Sequence, residues 1–167
     1  MDWFLWLHSE HGIKLTIFYD HWDRGRFIKG IWTTIHLSFV TIVLSIVIGI
    51  IGAWFQKSRF VWIRIIVQGY IQFFRNTPPL IQLYFFYFAM DTFLSGIFNI
   101  HGGILGSYGW AVVSLSFFAG AFNVEIFRAG VESVPESTVE SGISLGFSRR
   151  QIYQYITLPL AFRVCLP

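Results

Sequence analysis

Charged residues are scarce in this sequence. Only 13% of its 167 residues are Asp, Glu, Lys or Arg, which is about half the share found in a typical soluble domain. The formal net charge is +3, but the basic residues are too few and too scattered to form the dense patch that binds nucleic acid. This composition argues against an ordinary water-soluble domain and against nucleic acid as a partner.

Residue patterns that carry covalent chemistry are also lacking. Cys165 is the single cysteine, which excludes an intrachain disulfide. His8 and His11 lie three positions apart without supporting carboxylates, so we assign no metal site. The sequence has no Gly-x-x-x-x-Gly-Lys-Ser/Thr loop for nucleotide phosphates, and its acidic, aromatic first 29 residues do not fit a cleavable signal peptide. It therefore predicts no enzyme, no catalytic residue, no metal and no cofactor.

Apolar residues dominate what is present. They make up 54% of the chain, and aromatic residues alone make up 20%. A chain of this length has too little interior to hide so many apolar side chains from water. Stretches without Asp, Glu, Lys or Arg cover 30–56 and 92–124, and about 20 apolar residues are enough to cross a bilayer. We predict an all-α integral membrane protein, a multi-span helical bundle with about three complete spans.

The spans are delimited by prolines, turn residues and charges. We predict them over 30–56, 79–95 and 105–124. A helix over 61–76 precedes the second span, and the Pro78-Pro79 pair that follows it disfavours a continuous helix. Arg75 then lies at a helix break, where a charged residue faces protein or a wet cavity rather than lipid.

Small residues recur at every fourth position of the first span. They are Thr41, Ser45, Gly49 and Ala53. Such a strip on one helix face lets a neighbouring helix approach closely. At the end of the third span, Glu125 and Arg128 are three positions apart, where their side chains can pair on one helix face.

The distribution of basic residues predicts the orientation in the membrane. The segment 57–64 has three Lys or Arg residues and 128–163 has four, whereas 91–104 has none. The positive-inside rule then places 57–64 and 128–159 in the cytoplasm and the N-terminus outside. Four basic residues within 1–29 weaken this assignment.

We accordingly divide the chain into a periplasmic or interfacial segment, 1–29, and a transmembrane domain, 30–167, that contains a cytoplasmic loop over 129–159.

This polar loop predicts a helix, a glycine turn and a second helix at the membrane surface. Pro135 is placed for the first turn of the first helix, and Gly146 is placed to end it. Ser148 and Gln151 have the spacing of a capping box for the second helix, which we expect to end before Pro159. A short rigid helix that projects from the bilayer can seat in a groove on a soluble partner. A surface helix that merely links two spans is the alternative.

Three stretches of the sequence resemble motifs of one transporter family. The "EAA" loop of ABC importer permeases has the pattern Glu-Ala-Ala, three residues, Gly, nine residues, Ile-x-Leu-Pro. The matching residues here are Glu140-Ser141-Gly142, Gly146 and Ile156-Thr157-Leu158-Pro159. Two further motifs resemble those of the polar amino acid permeases, such as those for histidine, glutamine or arginine. They are Arg75-Asn76-Thr77-Pro78 and, following Ala121, Glu125-Ile126-Phe127-Arg128-Ala129-Gly130 with Ser133-Val134-Pro135.

The resemblance covers about 30–167 and implies a permease subunit of an ATP-binding-cassette importer in the bacterial inner membrane. Two permease subunits, identical or homologous, would form the pathway for a polar amino acid. Two separate ATPase subunits would hydrolyse ATP and bind the cytoplasmic loops, and a periplasmic amino-acid-binding protein would deliver the substrate. The lipid bilayer is the remaining partner.

The resemblance also assigns candidate site residues. It assigns docking on the ATPase to Glu140, Ser141, Gly142 and Gly146. It assigns contact with the pathway or the substrate to Arg75, Thr77, Glu125 and Arg128. Glu125 either meets an amino group of the substrate or pairs with Arg128 to orient the loop, and we favour the pairing.

Departures from the family pattern leave one alternative open. Ser141-Gly142 stands where the family has Ala-Ala, and Asn76 stands where it has Gly; both changes are mild, since the replacements are small or tolerate turn geometry. Family permeases continue past the Ile-x-Leu-Pro motif into further spans, so the resemblance predicts a chain truncated at its C-terminus. A truncated, non-transporting membrane scaffold or regulatory subunit therefore remains the alternative function.

Overall fold

The computed structural model describes residues 20–165, so His8 and His11 lie outside the described residues. All regular structure in this part is helical, which confirms the predicted fold class. The first five helices are α1 His21–Gln56, α2 Val61–Asn76, α3 Pro79–Phe98, α4 Ser107–Glu132 and α5 Glu136–Ser144. The last helix, α6, consists of the consecutive segments Arg149–Ile152, Tyr153–Thr157 and Leu158–Cys165.

Three helices, α1, α3 and α4, are long and apolar enough to cross a membrane, as predicted. Their ends differ from the predicted spans. α1 begins at His21 rather than at residue 30, and α4 continues to Glu132 rather than ending near residue 124. The reason is that charged residues mark where a chain leaves the hydrocarbon, whereas backbone hydrogen bonds can extend a helix further into the polar interface.

The chain divides into two compact units, Met1–Val40 and Thr41–Pro167. In the first unit, the described residues form the N-terminal part of α1. Its start is capped by Asp20, whose carboxylate accepts a hydrogen bond from the backbone N–H of Trp22 at 2.9 Å. The hydroxyls of Thr33 and Thr34 donate to backbone carbonyls four residues earlier, so neither hydroxyl is left unsatisfied in an apolar stretch.

In the second unit, α1 packs against α4 through small residues. The buried residues of this part of α1 are Thr41, Ser45, Gly49 and Gly52. A Cβ added at Gly49 would lie 2.5 Å from Cβ of Asn123, and one added at Gly52 would overlap Val124. The predicted strip is therefore confirmed except that Gly52 is buried in place of Ala53, because alternating three- and four-residue steps follow the helical period of 3.6 more closely.

Aromatic rings join α2, α3 and α4. Phe74 of α2 stacks on Phe117 of α4, with 5.7 Å between ring centroids, and on Phe86 of α3, at 6.3 Å. The hydroxyl of Tyr70 donates to the backbone carbonyl of Phe117 at 2.6 Å. These contacts fix α2 beside the two spans and bring Arg75, one residue after Phe74, close to α4.

The break between α2 and α3 is closed by a buried glutamine. Gln82 Nε2 donates to the backbone carbonyls of Phe74 and Thr77, both at 2.8 Å. The last carbonyls of a helix lack intrahelical partners, so this side chain satisfies groups that the prolines leave exposed. The predicted break at Pro78-Pro79 is confirmed.

The loop between α3 and α4 is held by Asp91. Its Oδ1 atom accepts hydrogen bonds from the indole N–H of Trp110 at 2.6 Å and from the backbone N–H groups of Ile104 and Leu105 at 3.0 and 3.4 Å. The turn itself uses left-handed backbone at Asn99, with a φ of 52°. One carboxylate therefore fixes the whole connection to α3.

The helix–turn–helix after α4 forms as predicted up to Pro159. Gly146 ends α5 with a φ of 83°, which glycine adopts without strain. Ser148 and Gln151 form the predicted capping box. The prediction that the second helix ends before Pro159 is wrong, because α6 continues to Cys165. A widened π-helical turn over Tyr153–Thr157 precedes the proline and accommodates its ring and missing N–H.

Candidate functional site

The α5–α6 loop exposes three of its four predicted docking residues. Glu140, Ser141 and Gly146 are exposed, whereas Gly142 is buried. A Cβ at Gly142 would lie 2.8 Å from Cδ1 of Ile156 on α6. The small size of Gly142 therefore serves the contact between the two helices of the loop, and the exposed residues around it remain available to a partner.

Apolar side chains surround the glycine turn of this loop. Ile143, Leu145 and Phe147 are 56%, 77% and 40% exposed. Together with Glu140 we call these residues the loop tip. Apolar residues that remain exposed in an otherwise polar stretch are typical of contact surfaces. These apolar residues are not predicted above as docking residues, although their alternation around Gly146 is visible in the sequence.

A second group of predicted residues forms an ion network centred on Glu125. Its Oε2 atom lies 2.9 Å from Nη2 of Arg128 and 3.9 Å from Nη1 of Arg75. Its Oε1 atom accepts a hydrogen bond from Nε2 of Gln56 at 3.3 Å. The carboxylate therefore connects α1, α2 and α4, and the predicted pair between Glu125 and Arg128 is present.

Arg128 is shared between two carboxylates. Besides Glu125, it contacts Glu132 one turn later, at 2.9 and 3.2 Å from its Nη1 atom. Arg75 also lies over the ring of Phe122, 5.4 Å from the centroid, a favourable cation–π distance. Glu132 is not among the predicted site residues, although its four-residue spacing from Arg128 is the usual signal for a helical ion pair.

Thr77 stands apart from this network. Its hydroxyl donates to the backbone carbonyl of Phe73 at 2.7 Å, so it extends the end of α2. Within residues 20–165, no three His, Cys, Asp or Glu side chains are grouped closely enough to hold a metal ion. The network therefore offers ion pairing and hydrogen bonding as its chemistry.

The variant Glu125→Gln is expected to weaken the folded state only slightly. The amide keeps the size of the side chain and an acceptor for Gln56, while Arg128 retains Glu132. Because Arg75 and Arg128 are 44% and 38% exposed, the lost attraction should amount to about 1 kcal/mol or less. Denaturation in detergent micelles measures it. A Glu125→Arg variant is the matched comparison, since it gathers three guanidinium groups and should be clearly less stable; equal stability of both variants would contradict the network.

Known transport proteins match most of this chain. The family described as "Binding-protein-dependent transport system inner membrane component" matches residues 23–167. The histidine/lysine/arginine/ornithine transport system permease protein HisQ of Escherichia coli (strain K12) is 27% identical over 151 residues, which are 86% of this chain and 64% of that protein. The L-cystine transport system permease protein TcyB of Bacillus subtilis (strain 168) is 30% identical over 138 residues, 83% of this chain and 56% of that protein.

A solved structure has the same fold. It is described as "Crystal structure of an amino acid ABC transporter with histidines", and its TM-score to this chain is 0.76 at 24% identity, over 93% of this chain and 69% of that one. The present chain spans 64% and 56% of the lengths of HisQ and TcyB.

Proposed function

Since the chain belongs to the binding-protein-dependent transport system inner membrane components, we propose that it is the membrane-spanning permease subunit of an ATP-driven importer of polar amino acids. The names of its relatives support this substrate class, because HisQ and TcyB are permeases for amino acids. The proposed location is the bacterial inner membrane, with 57–64 and 128–159 in the cytoplasm.

The exposed loop tip is the main support for the proposal that this chain couples ATPase motion to transport. It presents Glu140 and three exposed apolar side chains at a rigid turn between two packed helices. An ATPase subunit with a groove at its surface receives this turn, and motion of the ATPase then moves α4 and α6, which flank the loop. Gly142 and the capping box keep the turn rigid, so displacement is transmitted rather than absorbed.

Other subunits complete the proposed transporter. ATP hydrolysis belongs to the ATPase, and a periplasmic amino-acid-binding protein delivers the substrate. A second permease subunit, identical or homologous, forms the pathway with this one. The apolar span α3 supports that arrangement, because only 6% of its membrane-spanning window is buried within the described chain and its remaining surface is available to lipid or to a neighbouring subunit.

Replacing Glu140 with arginine is expected to abolish binding of the ATPase. The change reverses the charge of an exposed side chain at the centre of the proposed contact, where like-charge repulsion or an unpaired buried charge costs several kcal/mol. The chain is affinity-purified from membranes in mild detergent, and co-purifying subunits are identified by mass spectrometry as proteins with a nucleotide-binding loop.

Gln154→Arg is the matched control, since it adds an arginine at an exposed position of α6 outside the loop tip. It should retain the ATPase. Recovery of the same ATPase by wild type and Glu140→Arg would overturn the docking assignment, and recovery of no ATPase by any of the three proteins would count against the proposed function.

A further inference from the structure

An open cavity of about 540 Å³, lined by both polar and apolar side chains, lies where α1 ends and α2 begins, beside the last turns of α4. We call it the α1–α2 pocket. Its polar lining residues are Gln56, Arg64, Gln68, Arg128 and Glu132. It adjoins the ion network and shares Gln56, Arg128 and Glu132 with it, whereas Glu125 and Arg75 do not line it.

Two buried polar atoms of lining residues lack hydrogen-bond partners within the described chain. They are Oε1 of Gln56, which is an acceptor, and Nε of Arg128, which is a donor. Buried polar atoms are almost always satisfied, so an exception calls for a physical explanation. Both residues line the pocket, but these two atoms have less than 1 Å² of accessible surface. A ligand that carries both donors and acceptors would satisfy such a pair once the two side chains turn toward the pocket.

The charges of the pocket are also unevenly compensated. Arg128 is engaged by Glu125 and Glu132. Arg64 is exposed, and within residues 20–165 it has no carboxylate within ion-pair distance. The pocket thus presents a guanidinium without a counter-ion on α2 and a carboxylate, Glu132, on α4 that is more than 4.0 Å from it.

We propose that the α1–α2 pocket binds the zwitterionic backbone of a free amino acid. Arg64 holds the α-carboxylate, because the planar guanidinium offers paired N–H donors that match a carboxylate. Glu132 and the amide oxygens of Gln56 and Gln68 accept hydrogen bonds from the α-ammonium. A ligand held in this way connects α1, α2 and α4.

This inference rests on the proposed function, which supplies the amino acid as substrate class, and it adds a separate site at the proposed cytoplasmic end of α1. An amino acid there has left the route through the spans or has accumulated inside the cell. By connecting the three helices, the internal amino acid would favour the arrangement described here and oppose any movement that separates α2 from α4.

Equilibrium binding of tritiated L-histidine and L-glutamine tests the proposal, with the purified chain in phosphatidylcholine nanodiscs. Arg64→Gln should weaken binding of both probes about tenfold or more, the usual effect of losing a charged hydrogen-bonding partner. Arg59→Gln is the control, because Arg59 is an exposed residue of the same segment that does not line the pocket; it should bind like wild type. Histamine, which lacks the carboxylate, should compete with L-histidine at least tenfold less well than unlabelled L-histidine.

Three results would overturn the proposal: no binding of either probe, equal affinity of wild type and Arg64→Gln, or equal competition by histamine and L-histidine. Phosphatidylglycerol nanodiscs provide a further test. If anionic lipid abolishes the difference between wild type and Arg64→Gln, the pocket takes a lipid phosphate instead. Co-purification of the ATPase separates the two proposals, because an intact ATPase contact without amino-acid binding refutes only the pocket, and the converse refutes only the docking loop.

Discussion

The Gly52→Val variant is expected to lose the close contact between α1 and α4 and to give little folded protein in detergent. Even a single Cβ at this position would overlap Val124, which is fully buried and packed with Val67 and Ile71. The neighbours therefore have no free space in which to move. Overpacking of a well-packed interior typically costs about 1–3 kcal/mol, and we expect a value at the upper end or beyond it.

Helix content during titration with sodium dodecyl sulfate measures this loss. Gly69→Val is the matched control, since Gly69 also lies within a helix and an added Cβ there would meet no atom within 4 Å. This control has the same intrinsic effect of replacing a helical glycine, but it does not introduce an overlap with a neighbouring side chain. If both variants unfold at the same detergent concentration, α1 and α4 do not pack through Gly52.

The Asp91→Ala variant should release the loop between α3 and α4. It removes the acceptor of three hydrogen bonds, including the one from the indole of Trp110, whose side chain is only 3% exposed. Leaving a buried donor unsatisfied costs about 1–3 kcal/mol, so a total of about 3 kcal/mol is expected. Amide hydrogen exchange of Ile104 and Leu105 should then accelerate on the order of 100-fold.

Substitutions at Asp91 and at its neighbour Thr92 provide controls for the Asp91→Ala variant. Asp91→Asn keeps the size of the side chain and an acceptor oxygen, so it should retain much of the protection. Thr92→Ala removes a neighbouring hydroxyl that bonds only within α3, to the carbonyl of Phe88, and should exchange like wild type. Unchanged exchange in Asp91→Ala would show that the loop is held by other contacts.

The existence of the helices could be predicted from the sequence because the membrane leaves few alternatives. Backbone groups in hydrocarbon must be satisfied within the segment, so a charge-free run as long as 30–56 indicates a helix. The ends were less predictable. The helices include polar residues after His21 and charged residues before Glu132. Composition indicates where an apolar span ends, but it does not show where the helix itself ends.

Local signals in the α5–α6 loop differed in reliability for a physical reason. The capping box of Ser148 and Gln151 is confirmed because both partners lie within one turn. The prediction that the helix ends before Pro159 is wrong, because a helix can retain a proline when the preceding turn widens. The turn over Tyr153–Thr157 is widened in this way. The sequence of this segment contains no residue that predicts a widened turn.

The candidate sites were predictable only where their partners are close in sequence. Glu125 and Arg128 were paired from their spacing. The approach of Arg75 and Gln56 to Glu125 spans 50 and 69 residues and depends on how α1 and α2 pack, which no local pattern shows. Asp91 was missed for the same reason, since its bonds span 13 to 19 residues.

The ion network on Glu125 is electrically neutral as a unit. Arg75, Glu125, Arg128 and Glu132 carry two positive and two negative formal charges within one set of contacts. An isolated arginine that crosses the field gains or loses about 2.3 kcal/mol per 100 mV. A network that moves as a unit carries no net charge, so its own movement across the field would involve almost no electrical work.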